Sequence, residues 1–173
     1  QNNIFPISLS HDVPETVGYV LNTPDGAIVY TGNFVFDSAM AGPYNTDIGN
    51  LGYVGKKGVL CLLNESIYAS QPGFTSPSHR IEPVLREILN TNDGKRVFYN
   101  VLKTQLYRIQ ELFNAIDKSH RDVIIMGKNL ETLVLKSIDE GYLKFDKERI
   151  LTLKDVNRHN VVIIISDERE KAF

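Results

Sequence analysis

Several residues that can bind metal ions or exchange protons follow short apolar segments of the sequence. His11 lies in the polar segment SHDVPETVG, Asn33 ends the segment AIVYTGN, and Glu65 ends the apolar segment GVLCLLNE. Imidazole and carboxylate groups are ligands for divalent cations, and imidazole also titrates near neutral pH. A single imidazole does not hold a metal ion, and the other three histidines lie in unrelated contexts: His79, His120 and His159.

Cationic and polar side chains follow the apolar segments of the second half. Lys103 and Thr104 come after the segment VFYNV, Lys128 follows VIIMG, and Arg108 lies about one helical turn beyond Thr104. An open parallel sheet binds ligands beyond the carboxyl ends of its strands, which is where such residues gather. These four residues are candidates for contact with phosphate groups, and a solvated charged surface is the alternative.

The first part of the chain is predicted to be β-rich. Two β-branched segments, 17–21 and 27–30, flank the turn sequence NTPDG and predict a β-hairpin. The glycine-rich segment 37–58 shows no sustained apolar period, so we predict a connecting loop with room for a short helical turn.

From residue 59 onward, apolar segments alternate with helical stripes, which predicts a parallel α/β sheet. The predicted strands are 59–63, 97–101, 123–126 and 161–165, and their continuous apolar character indicates burial on both faces. The three stripes begin at Ile81, Leu106 and Leu130. Thr104 and Asn129 are predicted N-caps, and Gly141 is the predicted end of the third helix. Right-handed crossovers then place helices on both faces of the sheet.

Composition excludes several classes of protein. The 173 residues include 19 basic and 21 acidic ones, so no global positive field favours nucleic acid and any such contact must be local. Cys61, the only cysteine, is predicted to be a buried thiol in a reducing compartment, which excludes a disulfide scaffold. No apolar stretch approaches the roughly 20 residues of a membrane span, and no signal-peptide pattern opens the chain. We expect a cytoplasmic protein without membrane contact, from which an upstream segment has been removed, because the chain starts at Gln1.

The order of several short motifs resembles the ribonuclease J family. They are SHDVPETVG at 10–18, IVYTGNFVFD at 28–37, GVLCLLNES at 58–66, QPGFT at 71–75, LYRIQ at 106–110, GK at 127–128 and GYL at 141–143. The resemblance covers essentially the whole chain. It implies a β-rich remnant of a metallo-β-lactamase domain at 1–58, followed by a β-CASP domain at 59–173, in an incomplete fragment of a longer protein.

The resemblance also implies a chemistry. Members of this family degrade or mature RNA from the 5′ end, and some cut internally, with two zinc or manganese ions held between two domains. His11 matches a metal-ligand position of the family, and position 33 matches the carboxylate that bridges the two ions. The four phosphate candidates become predicted RNA-binding residues, no DNA partner is expected, and the fragment itself is expected to hold no cofactor.

Departures from the family pattern at Asn33, Tyr107 and residues 166–171 predict weak catalysis, and a further departure at Glu65 is mild. Asn33 is a neutral amide where the family has an anionic Asp, so metal affinity and hydroxide formation should both fall. Tyr107 stands where the family has His, and a phenol donates a hydrogen bond but adds no positive charge. Glu65 replaces an Asp and displaces the carboxylate by one methylene. The segment SDEREK at 166–171 carries three acidic residues where active members have a small-residue loop, and it is predicted to repel RNA.

These departures resemble the second, poorly active paralogue of Gram-positive bacteria, which works as the partner of an active ribonuclease J in a hetero-oligomer. Structural alternatives stay open, since Asn33 suits a tight turn as well as Asp does, and Glu65 could cap a helix or pair with a cation. Two other functions also stay open. One is an active metal-dependent ribonuclease that tolerates Asn33, and the other is a flavodoxin-like nucleotide-binding module, based on fold analogy alone.

Overall fold

The computed structural model describes residues 3–67, 69–73 and 80–166. The chain divides into two compact units, 1–79 and 80–173, each with its own sheet and hydrophobic core. The described residues do not include His79, the end of the QPGFT motif or residues 167–171 of the segment SDEREK, so the predictions made for these residues stay predictions.

The first unit is built on a four-stranded sheet in the order β1–β2–β3–β4. Its strands are β1 (Asn3–Ser8), β2 (Val17–Thr23), β3 (Gly26–Gly32) and β4 (Val59–Asn64). The predicted hairpin is confirmed, with Tyr19 opposite Tyr30 in the antiparallel pair β2–β3. Gly18 has no room for a side chain, because an added Cβ would lie 2.7 Å from the carbonyl oxygen of Tyr30.

One face of this sheet packs against helix α1 (Ile48–Lys57). Ile7, Val20 and Val29 alternate with more exposed residues along their strands and form a core with Val54 of the helix. This alternation is the pattern of a sheet that buries one face more deeply than the other.

Helix α1 corrects the prediction of a connecting loop over residues 37–58. The Asp47 side chain caps the helix by accepting a 2.9 Å hydrogen bond from the Asn50 backbone N–H. Three glycines lie inside the helix, each of which costs about 1 kcal/mol relative to alanine. The cap and the burial of Val54 against the sheet stabilise a helix that intrinsic propensity alone does not favour.

Strand β4 belongs to the first sheet, whereas we predicted that it opens the second. It pairs parallel with β3, with Ile28 opposite Cys61. All six of its residues are exposed, so the prediction of a buried Cys61 is wrong. A continuous apolar run indicates two apolar faces but does not identify the sheet that the strand joins. The compact units divide after residue 79, and the family-domain boundary at 58/59 stays a prediction.

The second unit contains an all-parallel sheet in the order β5–β8–β6–β7, which confirms the α/β class. Its strands are β5 (Val97–Val101), β6 (Asp122–Met126), β7 (Ile150–Leu151) and β8 (Val161–Ser166). Its helices are α2 (Glu82–Thr91), α3 (Leu106–Asp117) and α4 (Lys128–Asp139), as the three stripes predicted.

Helical segments cover both faces of the second sheet. Helices α2 to α4 share one core cluster with alternate strand residues such as Val123 and Ile164. On the opposite face, Ile124 and Ile163 pack against Leu153, which opens the short 3-10 segment Leu153–Asp155. Central strands β6 and β8 are therefore apolar on both sides, which explains their continuous hydrophobic runs.

The helix ends differ in part from the prediction. Helix α3 has Gln105 as its N-cap and α4 has Gly127, so Thr104 lies before the cap and Asn129 lies inside the helix. The predicted end at Gly141 is confirmed by its φ of +81°. The N–H of Gly141 donates to the carbonyl oxygen of Ile138 at 3.1 Å, and that of the next residue donates to Ser137 at 2.8 Å. These two bonds form a Schellman motif.

Candidate functional site

Three of the predicted catalytic or metal-binding residues lie at one edge of the first sheet. Strands β1, β3 and β4 run in the same direction, because β2 is antiparallel to both β1 and β3, and β4 is parallel to β3. Their carboxyl ends therefore meet at the same edge. His11, Asn33 and Glu65 follow these ends directly or after a short loop.

A buried polar cluster fixes the loop that carries His11. Ser10 is fully buried, and its backbone N–H donates to Thr46 Oγ1 at 2.8 Å. The Ser10 hydroxyl donates to the carbonyl oxygen of Asp37 at 3.2 Å, and the Ser10 carbonyl accepts from the Val35 N–H at 2.9 Å. The His11 loop is thus joined to the segment that follows Asn33. Buried hydrogen bonds of this kind hold a loop more firmly than exposed ones.

The His11 ring has a defined hydrogen bond on one nitrogen. Its Nδ1 accepts from the Val13 backbone N–H at 3.2 Å, so the neutral ring carries its proton on Nε2. In this tautomer Nε2 is a hydrogen-bond donor, which suits a phosphate oxygen and not a cation.

Asn33 and Glu65 directly follow Gly32 and Asn64, which lie opposite each other in the β3–β4 register. The Thr31 hydroxyl reinforces this strand pairing by donating to the Asn64 side-chain oxygen at 2.9 Å. Asn33 is exposed, and the exposed Glu65 accepts the Ile67 backbone N–H at 3.3 Å. The Glu65 carboxylate is thus engaged with its own turn.

This edge does not fit a two-metal centre by its own residues. Residues 3–67, 69–73 and 80–166 contain no group of three or more His, Cys, Asp or Glu side chains that could hold a metal ion. A bridging position needs an anion with lone pairs on two oxygens, and the Asn33 amide is neutral with one acceptor oxygen.

The predicted RNA-binding residues gather at the carboxyl edge of the second sheet. Val101 lies opposite Ser166, and Met126 lies opposite Ile165, so the ends of β5, β8 and β6 are adjacent. Lys103 and Thr104 follow β5, and Lys128 follows β6. The structure thus brings the two lysines to one edge, on either side of the end of the central strand β8.

Tyr107 lies in the first turn of α3, next to this edge. The Arg80 guanidinium donates a hydrogen bond to the Tyr107 hydroxyl, and its central carbon lies 5.4 Å from the centre of the phenol ring. A cation in this position is attracted by the ring face. The Arg80–Tyr107 pair therefore places a positive charge where Tyr107 alone has none.

Arg108 is not a simple surface cation. Its Nη1 lies 2.7 Å from Oε2 of Glu111, whose side chain is 4% exposed. The sequence prediction missed both Arg80 and Glu111. The three-residue spacing of Arg108 and Glu111 on a helix is a signal that could have found the ion pair, whereas no pattern in the sequence indicates Arg80.

Burial shifts the pKa of two further groups. Burial, and secondarily the charge of Asp12, raises the pKa of Tyr44 to about 12. Burial lowers the pKa of Arg121, and Asp93 acts in the opposite direction. The Arg121 guanidinium is fully buried and donates to the carbonyl oxygens that close α2 and its following turn, those of Leu89, Asn92 and Lys95.

A mainly apolar cleft of about 460 Å³ also lies in the first unit. Val29, Leu51 and Val59 belong to its walls, and Thr31 and Asn64 supply its polar groups. None of the described residues that line it carries a charge. In the part of the chain that the structure describes, no helix is both long and apolar enough to span a bilayer.

Comparisons with known proteins agree with the motif resemblance. Residues 94–169 match the family model for the β-CASP domain of ribonuclease J. The chain is 31% identical over 166 residues to Ribonuclease J 2 of Staphylococcus aureus, which covers 95% of this chain and 30% of that protein. Ribonuclease J 2 of Staphylococcus saprophyticus is 30% identical over the same length. The chain thus spans about a third of the length of these relatives.

A solved structure shares the fold. The crystal structure of a protein of unknown function from Enterococcus faecalis V583 matches with a TM-score of 0.60 and 17% identity, over 96% of this chain and 42% of that one. At that identity the match concerns the fold alone. Together with the family model and the two staphylococcal relatives, the ordered motifs lead to one conclusion: the chain belongs to the ribonuclease J family, and residues 94–169 lie in its β-CASP domain.

Proposed function

We propose that this chain is part of an RNA processing and decay protein that has little or no nuclease activity and works with an active ribonuclease J in a hetero-oligomer. Residues 1–58 are then the remnant of a metallo-β-lactamase domain, and the protein acts in the cytoplasm. The zinc or manganese ions belong to active members of the family, and this chain contributes RNA contacts and structure.

One observation carries the proposal. Asn33 leaves β3 at the sheet edge where His11 and Glu65 also lie, and it offers a neutral amide at that edge. A water between two divalent cations reaches a pKa near 7 only if the ligands hold both ions close together. An amide with one acceptor oxygen does not balance two cations, so hydroxide formation falls.

RNA binding is supported by a different part of the molecule. Lys103, Thr104 and Lys128 flank the end of β8 at the carboxyl edge of the second sheet, which is where parallel sheets bind their ligands. Arg108 follows in the first turn of α3. Two lysines and an arginine at one edge can contact successive phosphates of a strand even though the whole chain is slightly acidic.

The full-length protein that contains this chain tests the proposal in a nuclease assay. Its substrate is 5′-monophosphorylated RNA in the presence of Mn²⁺, with an active ribonuclease J as the reference. We expect turnover at least roughly a hundredfold below the reference, equivalent to about 2.7 kcal/mol of activation free energy. Asn33→Asp is expected to raise the turnover, and Asn33→Ala to leave it low.

The competing function is an active ribonuclease that tolerates Asn33. The shared edge of His11, Asn33 and Glu65 is the observation in its favour, since it retains the positions of the family site. Turnover equal to that of the reference, abolished by Asn33→Ala, would establish this function and overturn ours. Elemental analysis adds a second measurement, because two tightly bound ions per wild-type chain also contradict the proposal.

A further inference from the structure

One buried carboxylate organises both arginines beside Tyr107. Glu111 Oε2 accepts from Arg108 Nη1 at 2.7 Å, and Oε1 of the same carboxylate accepts from the Ile81 backbone N–H at 3.1 Å. Ile81 directly follows Arg80, whose guanidinium donates to the Tyr107 hydroxyl. Glu111 therefore fixes the Arg108 side chain and the backbone next to Arg80.

We propose that Glu111 is a positioning residue for RNA binding, and that Arg80 contacts RNA phosphate in the same site as Arg108. The proposal rests on the proposed RNA-binding function of the second sheet's carboxyl edge. An arginine side chain that is free to rotate loses rotamer entropy when a ligand immobilises it. Arg108 is already held by the Glu111 carboxylate and Arg80 by the Tyr107 ring, so each loses less and its contact with a phosphate is stronger.

The position of the group supports this role. Helix α3 starts directly after the loop that carries Lys103 and Thr104 at the end of β5, and Tyr107 and Arg108 lie in its first turn. The Arg108 side chain is 23% exposed, which leaves part of it accessible to a ligand. Glu111, one turn further along the helix, lies behind it and is buried.

A purely structural role for Glu111 predicts a different result from a positioning role. Glu111→Gln keeps the shape and the acceptor for the Ile81 N–H but removes one negative charge. If the carboxylate only ties α2 to α3, the more positive protein should bind RNA equally well or more tightly, because electrostatic attraction to phosphate rises. If the carboxylate orients the arginines, the same substitution weakens binding.

The test is fluorescence anisotropy with a labelled 5′-monophosphorylated single-stranded RNA and the complete chain. We expect Glu111→Gln to raise Kd about fivefold to tenfold, and the slope of log K against log salt to shrink by about 0.7 for each phosphate that is no longer neutralised. The matched control is Glu87→Gln, which removes the same charge from an exposed position on α2. The control should leave Kd unchanged or lower it. Unchanged or tighter binding by a folded Glu111→Gln variant overturns the proposal.

Further variants keep the proposal testable if Glu111→Gln does not fold. Arg80→Gln changes a partly exposed side chain and should also raise Kd about fivefold, whereas Arg158→Gln, far along the sequence and 57% exposed, should raise it less than twofold. In an Arg108→Gln background, Glu111→Gln should weaken binding by less than it does alone, because its partner is already absent. If Arg80→Gln binds like the wild type, the proposal fails even if Glu111→Gln does not fold.

The failure of this inference is distinguishable from that of the proposed function. A wild-type chain that binds no RNA at all contradicts the proposed function. A wild-type chain that binds RNA and loses affinity on Lys128→Gln, but not on Glu111→Gln or Arg80→Gln, contradicts the positioning role alone.

Discussion

The hydroxyl groups of Ser10 and Thr46 lie 2.5 Å apart in the protein interior, although the two residues are 36 positions apart in the sequence. Thr46 Oγ1 also accepts the Ser10 N–H, and the Ser10 hydroxyl is directed to the carbonyl oxygen of Asp37. The Thr46 hydroxyl therefore donates its proton to Ser10 Oγ. This pair connects the loop that carries His11 to the segment just before α1.

Thr46→Val should destabilise the first unit. It replaces the hydroxyl by a methyl group of similar size and leaves the buried Ser10 N–H without an acceptor, which costs about 1 to 3 kcal/mol. Urea unfolding monitored by tyrosine fluorescence measures the change. Thr132→Val is the control, because that hydroxyl is exposed on α4, and its loss should cost about 0.5 kcal/mol or less. Equal midpoints for the two variants would contradict the role of the Ser10–Thr46 pair.

Ionisation of Tyr44 should lower the free energy of unfolding at alkaline pH. Its folded pKa of about 12 exceeds the ordinary value of 10.0, so the folded state holds this proton more tightly than the unfolded state. The stabilisation of the folded state by protonated Tyr44 is fully present below pH 10. It decreases by about 1.4 kcal/mol per pH unit as the pH rises from 10 to 12. Unfolding measured across this window should show the loss in the wild type and a shallower loss in Tyr44→Phe. Parallel curves for the two proteins would refute the assignment.

Arg121→Met should strongly destabilise the second unit. Three carbonyl oxygens at the end of α2 and in the next turn lose their common donor, and the expected cost is about 3 kcal/mol or more. Chemical unfolding followed by circular dichroism measures it. Arg158→Met is the control: its ion pairs with Asp122 and Asp155 are largely exposed, so its loss should cost at most about 1 kcal/mol. A destabilisation of similar size in both variants would show that the buried bonds matter little.

Lys128→Gln should weaken RNA binding in a salt-dependent way. A lysine that contacts one phosphate of a single strand contributes about 0.7 to the slope of log K against log salt, and its loss should raise Kd roughly threefold to tenfold. Lys154→Gln removes the same charge from an exposed 3-10 segment and serves as the control. Anisotropy titrations at several salt concentrations compare the two. If the slope of log K against log salt is the same for both variants, RNA does not contact Lys128.

The second unit could be predicted well because its local patterns agree with its fold. The three helical stripes and the runs around Ile124 and Ile163 report burial directly, since these strands are covered on both faces. The C-terminal end of α4 at Gly141 could also be predicted, because a positive φ at that position favours glycine.

The errors arise where tertiary contacts decide between local alternatives. The run around Cys61 has the composition of a buried strand, but its pairing with β3 places it at a sheet edge. The glycines of α1 suggest a loop, and the helix depends on the Asp47 cap and on Val54 packing against the sheet. No local sequence pattern indicates a role for Arg80, because its partner Tyr107 lies 27 residues away in the sequence.

Strand β4 has a consequence for handling the protein. It is the last strand of its sheet in the described part of the chain, and Leu60, Leu62 and Leu63 are each at least half exposed. An exposed apolar edge strand of this kind can recruit further extended polypeptide through main-chain pairing, and natural sheets usually protect such strands with lysine or proline. Concentrated solutions of these 173 residues should therefore self-associate through β4, and a lysine in place of Leu62 should keep them dispersed.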